Sequence, residues 1–380
     1  MPNVCKATYV DPATRRTLLS MAKILHVAHF GRKPIGAFQH SVERKLSNGL
    51  IRNGHAVVNF SDRDMARAAS WLGHRKFGAS GANRELRNLC RSMEPDLLLL
   101  GHADVITAAT IADIRGDLPA LRVLQWNVDP IFDDGNVGRI AAKLDVVDAT
   151  LVSTAGEALR PLARPGKALG FLPNPVDYSI ETGRNHENRD LPYDLFYSCG
   201  NGEKLRQTCG KAWRPDDLIQ LLERASPGLR VLLAGLRDQP QIAGAPYQRA
   251  LEAAAIGLNL SRRNDVLLYS SDRLAQMIGN GMAVLVDRDT GYNTLFGEDE
   301  LAFFSTTDEL VAQVRRLVAD SAHRQQLAKA GRQRYHALFN EQIVARYVVE
   351  TAFGTLDPSA YPWPTLIPDE APPQPKVGAL

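Results

Sequence analysis

The chain has 380 residues, which is long enough for two domains of ordinary size. Apolar residues make up 44% and charged residues 23%, and the net charge of +3 is too mild to predict nucleic acid as a partner. The cysteines show no spacing typical of a disulfide framework or a zinc site, so a reducing cytoplasm is expected; they are Cys5, Cys90, Cys199 and Cys209.

The predicted elements begin after a leader. Residues 1–20 lack the continuous apolar core of a signal peptide, and we expect a flexible leader or a true start at Met21. No apolar run reaches the ~20 residues that span a bilayer. Short apolar runs then alternate with amphipathic segments, which is the pattern of βα units around a parallel sheet. In a first domain over 21–177 the predicted strands are 24–30, 55–62, 96–104, 121–129, 148–154 and 170–177.

A second series of elements follows a polar stretch. Residues 178–192 are predicted to be a linker or surface loop. We expect a second domain over 193–340, a closing helix over 341–355, and a mostly disordered tail over 356–380, which holds seven prolines. The strands predicted in the second domain are 194–200, 229–235, 256–261, 282–287 and 301–305.

Two doubly wound, Rossmann-like α/β domains in tandem are therefore expected. Such an arrangement places a cleft between the carboxyl ends of two sheets, which is where ligands bind in these folds. Fold alone does not identify the reaction.

Several stretches, in order, resemble the GT-B glycosyltransferases. "LPNPVD" (172–177) is similar to the "PNGVD" segment that enters the family's second domain, although an ordinary Asn-Pro turn is the alternative. "LRVLLAG" (229–235) and residues 279–335 resemble parts of the family's donor domain, and 46–62 resembles its first helix and second strand. The resemblance is nearest to the CgeB-like group and covers about residues 22–354.

The resemblance implies a nucleotide-diphosphate sugar as donor substrate, no further cofactor and no metal. The leaving diphosphate then needs positive charge or aligned N–H donors. One candidate is "CGNGEKLR", where two glycines allow close backbone approach and two cations add charge; they are Gly200, Gly202, Lys204 and Arg206. A glycine turn with surface bases is the alternative. The third glycine of the dinucleotide-binding fingerprint is missing, so the sequence does not indicate NAD binding.

The second candidate is "YSSDRLAQ" (269–276). Ser270, Ser271 or Asp272 can cap a helix there, and Arg273 lies in its first turn. A cation at that place opposes the helix dipole, so it indicates an anionic partner. That partner is either a diphosphate, as the resemblance implies, or a neighbouring carboxylate such as Asp272.

Two glutamates that many retaining GT-B enzymes carry in this region are absent. Alignment on Gly281 places Gln276 and Leu268 at their positions. An amide can still exchange hydrogen bonds with ribose hydroxyls, so Gln276 is expected to bind the ribose. The departure leaves the donor type and the stereochemistry open.

The loop "DTGYNTLF" (289–296) follows a predicted strand. Gly291 is expected to offer backbone N–H groups near the sugar, with a plain turn as the alternative. Tyr292 faces either the core or the sugar. Asp287 and Asp289 lie beside it, and we do not expect them to bind metal because the family's fold normally works without one.

Candidates for the acceptor side follow the strands of the first domain. His29 ends the first predicted strand, where a packed or hydrogen-bonded histidine is the alternative to a base. Asp129 precedes a proline and is expected either to deprotonate or bind an acceptor hydroxyl, or to be a structural turn residue. His102 and Asp104 end a third strand with the same alternatives.

The resemblance thus implies a metal-independent glycosyltransferase of cell-envelope or polysaccharide biosynthesis, and the cysteine pattern adds a cytoplasmic location. Its expected partners are a nucleotide sugar and a glycan or lipid-linked acceptor, with no nucleic acid. The basic segment "GRQRYH" (331–336) is expected to be a solvated face, with contact to anionic lipid or to a phosphorylated acceptor as the alternative. A location at the inner face of the membrane is compatible with the sequence. A non-catalytic protein that kept the fold and a sugar-nucleotide epimerase are the alternative functions.

Overall fold

The first large sheet lies in the N-terminal half of a computed structural model that describes residues 21–31 and 37–368. Apolar runs form its strands because both faces of a parallel sheet are covered by helices. The strands are β1 (Lys23–Ala28), β2 (Ala56–Ser61), β3 (Leu97–Gly101), β4 (Arg122–Asn127), β5 (Ala149–Val152) and β6 (Ala168–Phe171). All are parallel, in the order β2-β1-β3-β4-β5-β6.

Capped helices connect these strands. Ser41 accepts a hydrogen bond from the N–H of Arg44 at the start of α1, and Thr107 accepts one from Thr110 at the start of α4, so each satisfies a free N–H group of the first turn. The helices are α1 (Val42–Arg52), α2 (Asp62–Ala68), α3 (Ala79–Met93), α4 (Ala108–Asp117) and α5 (Asp134–Ala141).

The second large sheet lies in the C-terminal half. Its strands are β7 (Tyr193–Ser198), β10 (Val231–Ala234), β11 (Ala254–Leu258), β12 (Ala283–Asp287) and β13 (Ala302–Phe304), while β8 (Arg206–Thr208) and β9 (Lys211–Trp213) form a small antiparallel pair. The order is β10-β7-β11-β12-β13, all parallel. The helices between them are α6 (Pro215–Ala225), α7 (Ala245–Glu252), α8 (Arg273–Gly279) and α9 (Thr307–Ala319).

Each sheet is doubly wound from an inner strand. In the first sheet the direction of winding reverses between β1 and β3, and in the second it reverses between β7 and β11. Ligands of open α/β sheets bind outside the carboxyl ends of strands at such a reversal. The predicted fold of two Rossmann-like domains is confirmed.

The last two helices join the halves. They are α10 (Ser321–Phe339) and α11 (Glu341–Phe353), and α11 packs along α1 of the first half. The two helices approach closely at Gly49, where a Cβ atom would lie 2.0 Å from the carbonyl oxygen of Glu341. A side chain there would force the helices apart.

The stretch 178–192 links the two halves and is largely exposed, but some of its polar side chains are buried. Glu181 is fully buried and forms an ion pair of 2.7 Å with Lys45 of α1. Asn185 is also buried, and its Nδ2 donates to the carbonyls of Leu251 and Ala254. The polar residues therefore pair with partners distant in sequence, which local composition cannot show.

The tail is ordered as far as the structure describes it. Trp363 is buried, with its ring 5.3 Å from that of Phe339. The N–H of Ile367 donates to the carbonyl of Leu169 at 2.9 Å, so the tail runs along the edge strand β6. The predicted disorder is wrong for residues 357–368, while 1–20 and 369–380 lie outside the described residues.

The basic segment 331–336 is not a solvated face. Arg332 and His336 are buried, and Nε of Arg332 donates to the carbonyl of Gly279 at 2.8 Å. The guanidinium of Arg334 donates to the carbonyl of Leu295. These cations hold α10 onto the second domain. Within residues 21–31 and 37–368, no helix is both long and apolar enough to cross a membrane.

Candidate active site

Arg273 lies at the winding reversal of the second sheet. Its Nη1 donates to the carbonyl of Ser198, the last residue of β7, at 2.7 Å, and its Nη2 lies 3.4 Å from the carbonyl of Leu260, just beyond β11. Among the described residues no carboxylate forms an ion pair with it, so the alternative that Asp272 neutralises Arg273 is not realised. The guanidinium is therefore an unneutralised positive charge at the place where this fold binds ligands.

The loop after β7 folds around Arg206. The guanidinium donates to the carbonyls of Lys204, Leu205 and Asn201 at 2.8, 3.2 and 3.3 Å. Arg206 is buried, and within the described chain it has no carboxylate partner; the ammonium-bearing Lys204 is exposed. Of the two predicted cations in this loop, Arg206 is thus the one held in a fixed position.

Buried polar atoms without described partners lie in the segments next to Arg273. Asn259 and Ser261 flank Leu260, and both oxygen and nitrogen of the Asn259 amide and the Ser261 hydroxyl have no hydrogen-bond partner among the described residues. The same is true of the hydroxyl of Ser271. Buried polar groups are normally satisfied, so this set of donors and acceptors fits a polar ligand.

A cavity of about 260 Å³ opens beside Arg273. Gly200 forms part of its wall, and Ile242 and Tyr247 supply apolar surface. Gly200 and Gln241 also line a larger cavity of about 620 Å³ that includes Gly202. The predicted glycines therefore do lie at cavities, and an added Cβ at Gly200 would meet nothing within 4 Å.

Gln276 lines the smaller cavity but is fully engaged with protein partners. Its Oε1 accepts from the hydroxyl of Tyr247 at 2.6 Å, and its Nε2 donates to Asp272 at 2.6 Å. The Nε2 also lies 3.3 Å from the carbonyl of His40 in the first half. The expected ribose contact would compete with these bonds, of which the two short ones stay within the second half and the longer one reaches the first half.

The predicted helix cap takes a different form. Helix α8 has only seven residues, and its N-cap residue Asp272 makes no capping bond, because its carboxylate faces Lys45 and Gln276. Ser270 is buried, and its hydroxyl bonds to that of Tyr292 at 2.8 Å. Of the two predicted serines, only Ser271 has a hydroxyl group with no hydrogen-bond partner among the described residues.

The loop 289–296 does not present the predicted N–H donor. The N–H of Gly291 already donates to the carbonyl of Arg288 at 2.9 Å, so it is not available to a sugar. Tyr292 is buried and faces the core, and its hydroxyl lies 3.2 Å from the carbonyl of Leu268. Burial raises the pKa of Tyr292 to about 12.

The acceptor candidates lie at the carboxyl ends of the first sheet. Asp129 is half exposed; its carboxylate lies 3.6 Å from Nδ1 of His102 and 3.5 Å from Arg139. His29 is partly buried, and its Nδ1 has no hydrogen-bond partner among the described residues. Burial, followed by the charge of Arg63, lowers the pKa of His29.

The two sheets meet across this site. Arg262 contacts Asp133 at 3.2 Å, and the ring of Tyr269 packs edge-on against Phe132 at 5.1 Å. Burial, and next the charge of Asp129, raises the pKa of Tyr269 to about 12, whereas the charges of Arg262, Arg273 and Arg206 oppose that rise. A carboxylate of the first half and three arginines of the second therefore all influence the pKa of Tyr269.

Comparisons with known proteins concern the fold of the chain. Residues 208–349 match a family model described as glycosyl transferase-like. An α-glucosyltransferase in complex with UDP and DNA aligns with a TM-score of 0.60 at 11% identity, over 88% of this chain and 100% of its own. The Anabaena protein HepE in complex with UDP and glucose aligns at 0.54 and 11% identity, over 88% and 100%. No curated protein sequence matches the chain.

The chain has the GT-B fold, and its residues 208–349 match the glycosyl transferase-like family model. The suspected membership of the CgeB-like group stays a prediction. Within the GT-B fold the positions of Leu268 and Gln276 carry no carboxylate, and Asp272, four residues before Gln276, supplies the nearest one.

Within the described parts of this GT-B chain, no group of three His, Cys, Asp or Glu side chains could hold a metal ion. Asp287 is buried and accepts bonds from the hydroxyl of Thr208 and the N–H groups of Cys209 and Asp289. Its oxygens therefore stabilise the turn after β12.

Sequence analysis missed several groups of this site. Lys45 lies on the apolar stripe of α1, and a cation at such a position is a signal that was available. Arg262 and Asn259 lacked any such signal, because their roles follow from the meeting of loops distant in sequence.

Proposed function

We propose that the protein transfers a sugar from a nucleoside-diphosphate donor to a hydroxyl of a glycan or lipid-linked acceptor. The observation that carries this proposal is the position of Arg273. Its guanidinium donates to two backbone carbonyls at the winding reversal, and no carboxylate among the described residues forms an ion pair with it. A sugar diphosphate develops negative charge as its glycosidic bond breaks, and fixed positive charge stabilises that charge.

In this proposal Arg273 and Arg206 bind the diphosphate, with Ser271 and Asn259 donating hydrogen bonds. The nucleoside occupies the 260 Å³ cavity, whose apolar wall includes Tyr247. Two similar structures contain UDP, which supports a uridine diphosphate among the donors to test first. Because guanidinium groups supply the positive charge, the proposed reaction needs no metal.

The acceptor hydroxyl is proposed to enter beside Asp129. Its oxygen attacks the anomeric carbon while the bond from that carbon to the diphosphate oxygen breaks. In an inverting reaction the hydroxyl proton passes to Asp129 or His29, and in a retaining reaction it passes to the leaving phosphate. The proposed setting is cytoplasmic cell-envelope or polysaccharide synthesis.

A donor panel tests the proposal. The purified chain is incubated with UDP- and GDP-sugars, with and without EDTA, and both transfer and release of the nucleoside diphosphate are measured. We expect diphosphate release with at least one donor, unchanged by EDTA. No release and no transfer with any donor would contradict an enzyme.

A non-catalytic nucleotide-binding protein is the second candidate. The engagement of Gln276 with Tyr247 and Asp272 favours it, because the predicted ribose ligand serves as a structural contact. A rise in melting temperature with UDP but no donor turnover would support this candidate over transfer.

A further inference from the structure

The loop between α2 and α3 exposes large apolar side chains. Trp71 is 101% exposed, Leu72 74% and Phe77 71%, relative to the extended residue. Single exposed apolar residues are common, but three within seven residues form a patch that water solvates poorly. We propose that this loop, residues 70–78, inserts into an anionic membrane surface and brings the site to a lipid-linked acceptor.

The charge around the loop is uniformly positive. Residues 65–84 contain no aspartate or glutamate, and they carry four cations: Arg67, Arg75, Lys76 and Arg84. Of these, Arg67 pairs with Asp64, whereas Arg75 and Lys76 lie in the exposed loop between Trp71 and Phe77. Aromatic side chains flanked by cations suit the interface of a bilayer with anionic headgroups.

The base of the loop is firmly closed. Gly78 lies against α2, where a Cβ atom would come within 1.7 Å of the carbonyl oxygen of Ala66. Inside the loop the N–H of Gly73 donates to the carbonyl of Ser70, and that of Phe77 to the carbonyl of His74. A fixed base with exposed apolar tips loses little conformational freedom on insertion.

The loop stands beside the acceptor side of the cleft. Helix α2 starts directly after the carboxyl end of β2, and Asp62 accepts from the N–H of Val105, beyond β3. Asn83, in α3, donates to the carbonyl of Val105 and accepts from the N–H of Thr107. The helices on either side of the loop are thus tied, at Asp62 and Asn83, to the segment that follows His102 and Asp104.

This inference deepens the proposed function by selecting a lipid-linked acceptor over a free glycan, and in that choice it rests on the proposed function. Docking to the membrane does not depend on donor chemistry. The two can therefore be tested separately.

Vesicle flotation of the full chain is the experiment, with phosphatidylcholine vesicles alone or containing phosphatidylglycerol. We expect binding to the anionic vesicles, reduced at least about tenfold by Trp71→Ser/Leu72→Ser/Phe77→Ser and by Arg75→Glu/Lys76→Glu. The matched control is Val318→Ser/Arg316→Glu, an exposed apolar and basic pair on α9, which should bind like the unsubstituted chain.

The outcomes separate the two proposals. Absence of vesicle binding, or equal binding by the loop variants, overturns the membrane inference. So does loop-dependent binding of a free glycan or protein without vesicle binding. The rise in melting temperature with UDP is measured in parallel; we expect it to be the same in the loop variants, and its absence from all chains would count against the proposed function alone.

Discussion

The side-chain amide of Gln276 donates a hydrogen bond of 2.6 Å to the carboxylate of Asp272, four residues earlier. Asp272 in turn lies 3.2 Å from the ammonium of Lys45. A glutamate at 276 would place two carboxylates in contact, so the neutral amide is the form that this neighbourhood accepts. The hydrogen bond to Asp272 thereby explains why position 276 carries glutamine where many members of the family carry glutamate. This explanation does not require the site to have lost its activity.

Gln276→Glu should therefore destabilise the fold by about 1–3 kcal/mol at pH 8. The pKa of the new carboxylate would be raised above its unfolded value, so the loss appears as the pH rises through that range and shrinks toward pH 5. Urea unfolding at both pH values measures it. The control is Gln220→Glu, whose amide donates to Asp216 in the same i, i+4 relation on an exposed face and should change stability by less than about 0.5 kcal/mol. Equal losses in both variants would contradict the explanation.

Arg273→Ala should weaken UDP binding by at least about tenfold, because it removes the fixed charge at the winding reversal. Gln276→Ala should weaken it less, since that amide is occupied by Tyr247 and Asp272. Titration calorimetry gives both dissociation constants. Arg315→Ala is the control: this arginine also donates to a backbone carbonyl, that of Ala225, but on the outer surface. A larger effect at Gln276 than at Arg273 would show that the donor site is assigned to the wrong residue.

The fold was accessible from sequence because its strands are short apolar runs separated by amphipathic helices. Leu97–Gly101, for example, is buried throughout and could hardly be anything but an inner strand. Disorder was predicted for the tail because it is rich in proline. In the structure Tyr361 and Trp363 pack against aromatic rings of α11 and α10. Local composition contains no information about such distant partners.

The site was accessible only in part, for a related reason. Arg273 could be found because a cation in the first turn of a helix is locally unfavourable and indicates a partner. Gly291 was misjudged because the hydrogen bond of its N–H to Arg288 depends on the geometry of one turn. The roles of Gln276 and Lys45 follow from contacts between the two halves, which no local pattern encodes.

Lys45→Met should cost about 3–5 kcal/mol at pH 8, because it leaves Glu181 and Asp272 without their cation. Burial would lower the pKa of Lys45, but the two carboxylates together raise it; burial raises the pKa of Glu181 to about 7 against the attraction of Lys45. A carboxyl group whose pKa is raised in the folded state destabilises the fold as the pH rises. The free-energy cost of Lys45→Met should therefore grow from pH 5 to pH 8.

Denaturant unfolding across that pH range measures the effect of Lys45→Met. The double variant Lys45→Met/Glu181→Gln should recover part of the loss and flatten its pH dependence. A loss that is the same at pH 5 and pH 8 would mean that missing packing, and not the unpaired carboxylates, destabilises the variant.

Asp129→Asn should lower kcat for transfer by about 100-fold or more if the reaction inverts configuration, since general-base catalysis contributes at least that much. UDP binding should stay unchanged, because Asp129 lies on the acceptor side. We expect His29→Ala to have the smaller effect, because Nδ1 of His29 is buried whereas the carboxylate of Asp129 is half exposed. Steady-state kinetics with product stereochemistry checks this. Retention of the anomeric configuration, together with little change in kcat for Asp129→Asn, would indicate that the departing phosphate accepts the proton.

Trp363→Ala should destabilise the fold and Trp71→Ala should not, although both remove the same side chain. Trp363 is buried, with its ring 4.9 Å from that of Tyr361 and 5.8 Å from that of Tyr347, so its loss leaves a cavity and should cost about 3–5 kcal/mol. Trp71 is fully exposed, and its removal should leave the free energy of unfolding unchanged. Urea unfolding monitored by circular dichroism compares the two. Similar stability of both variants would show that the tail contributes nothing to the fold, whereas a loss confined to Trp363→Ala establishes residues 357–368 as a structural part of the GT-B domain pair.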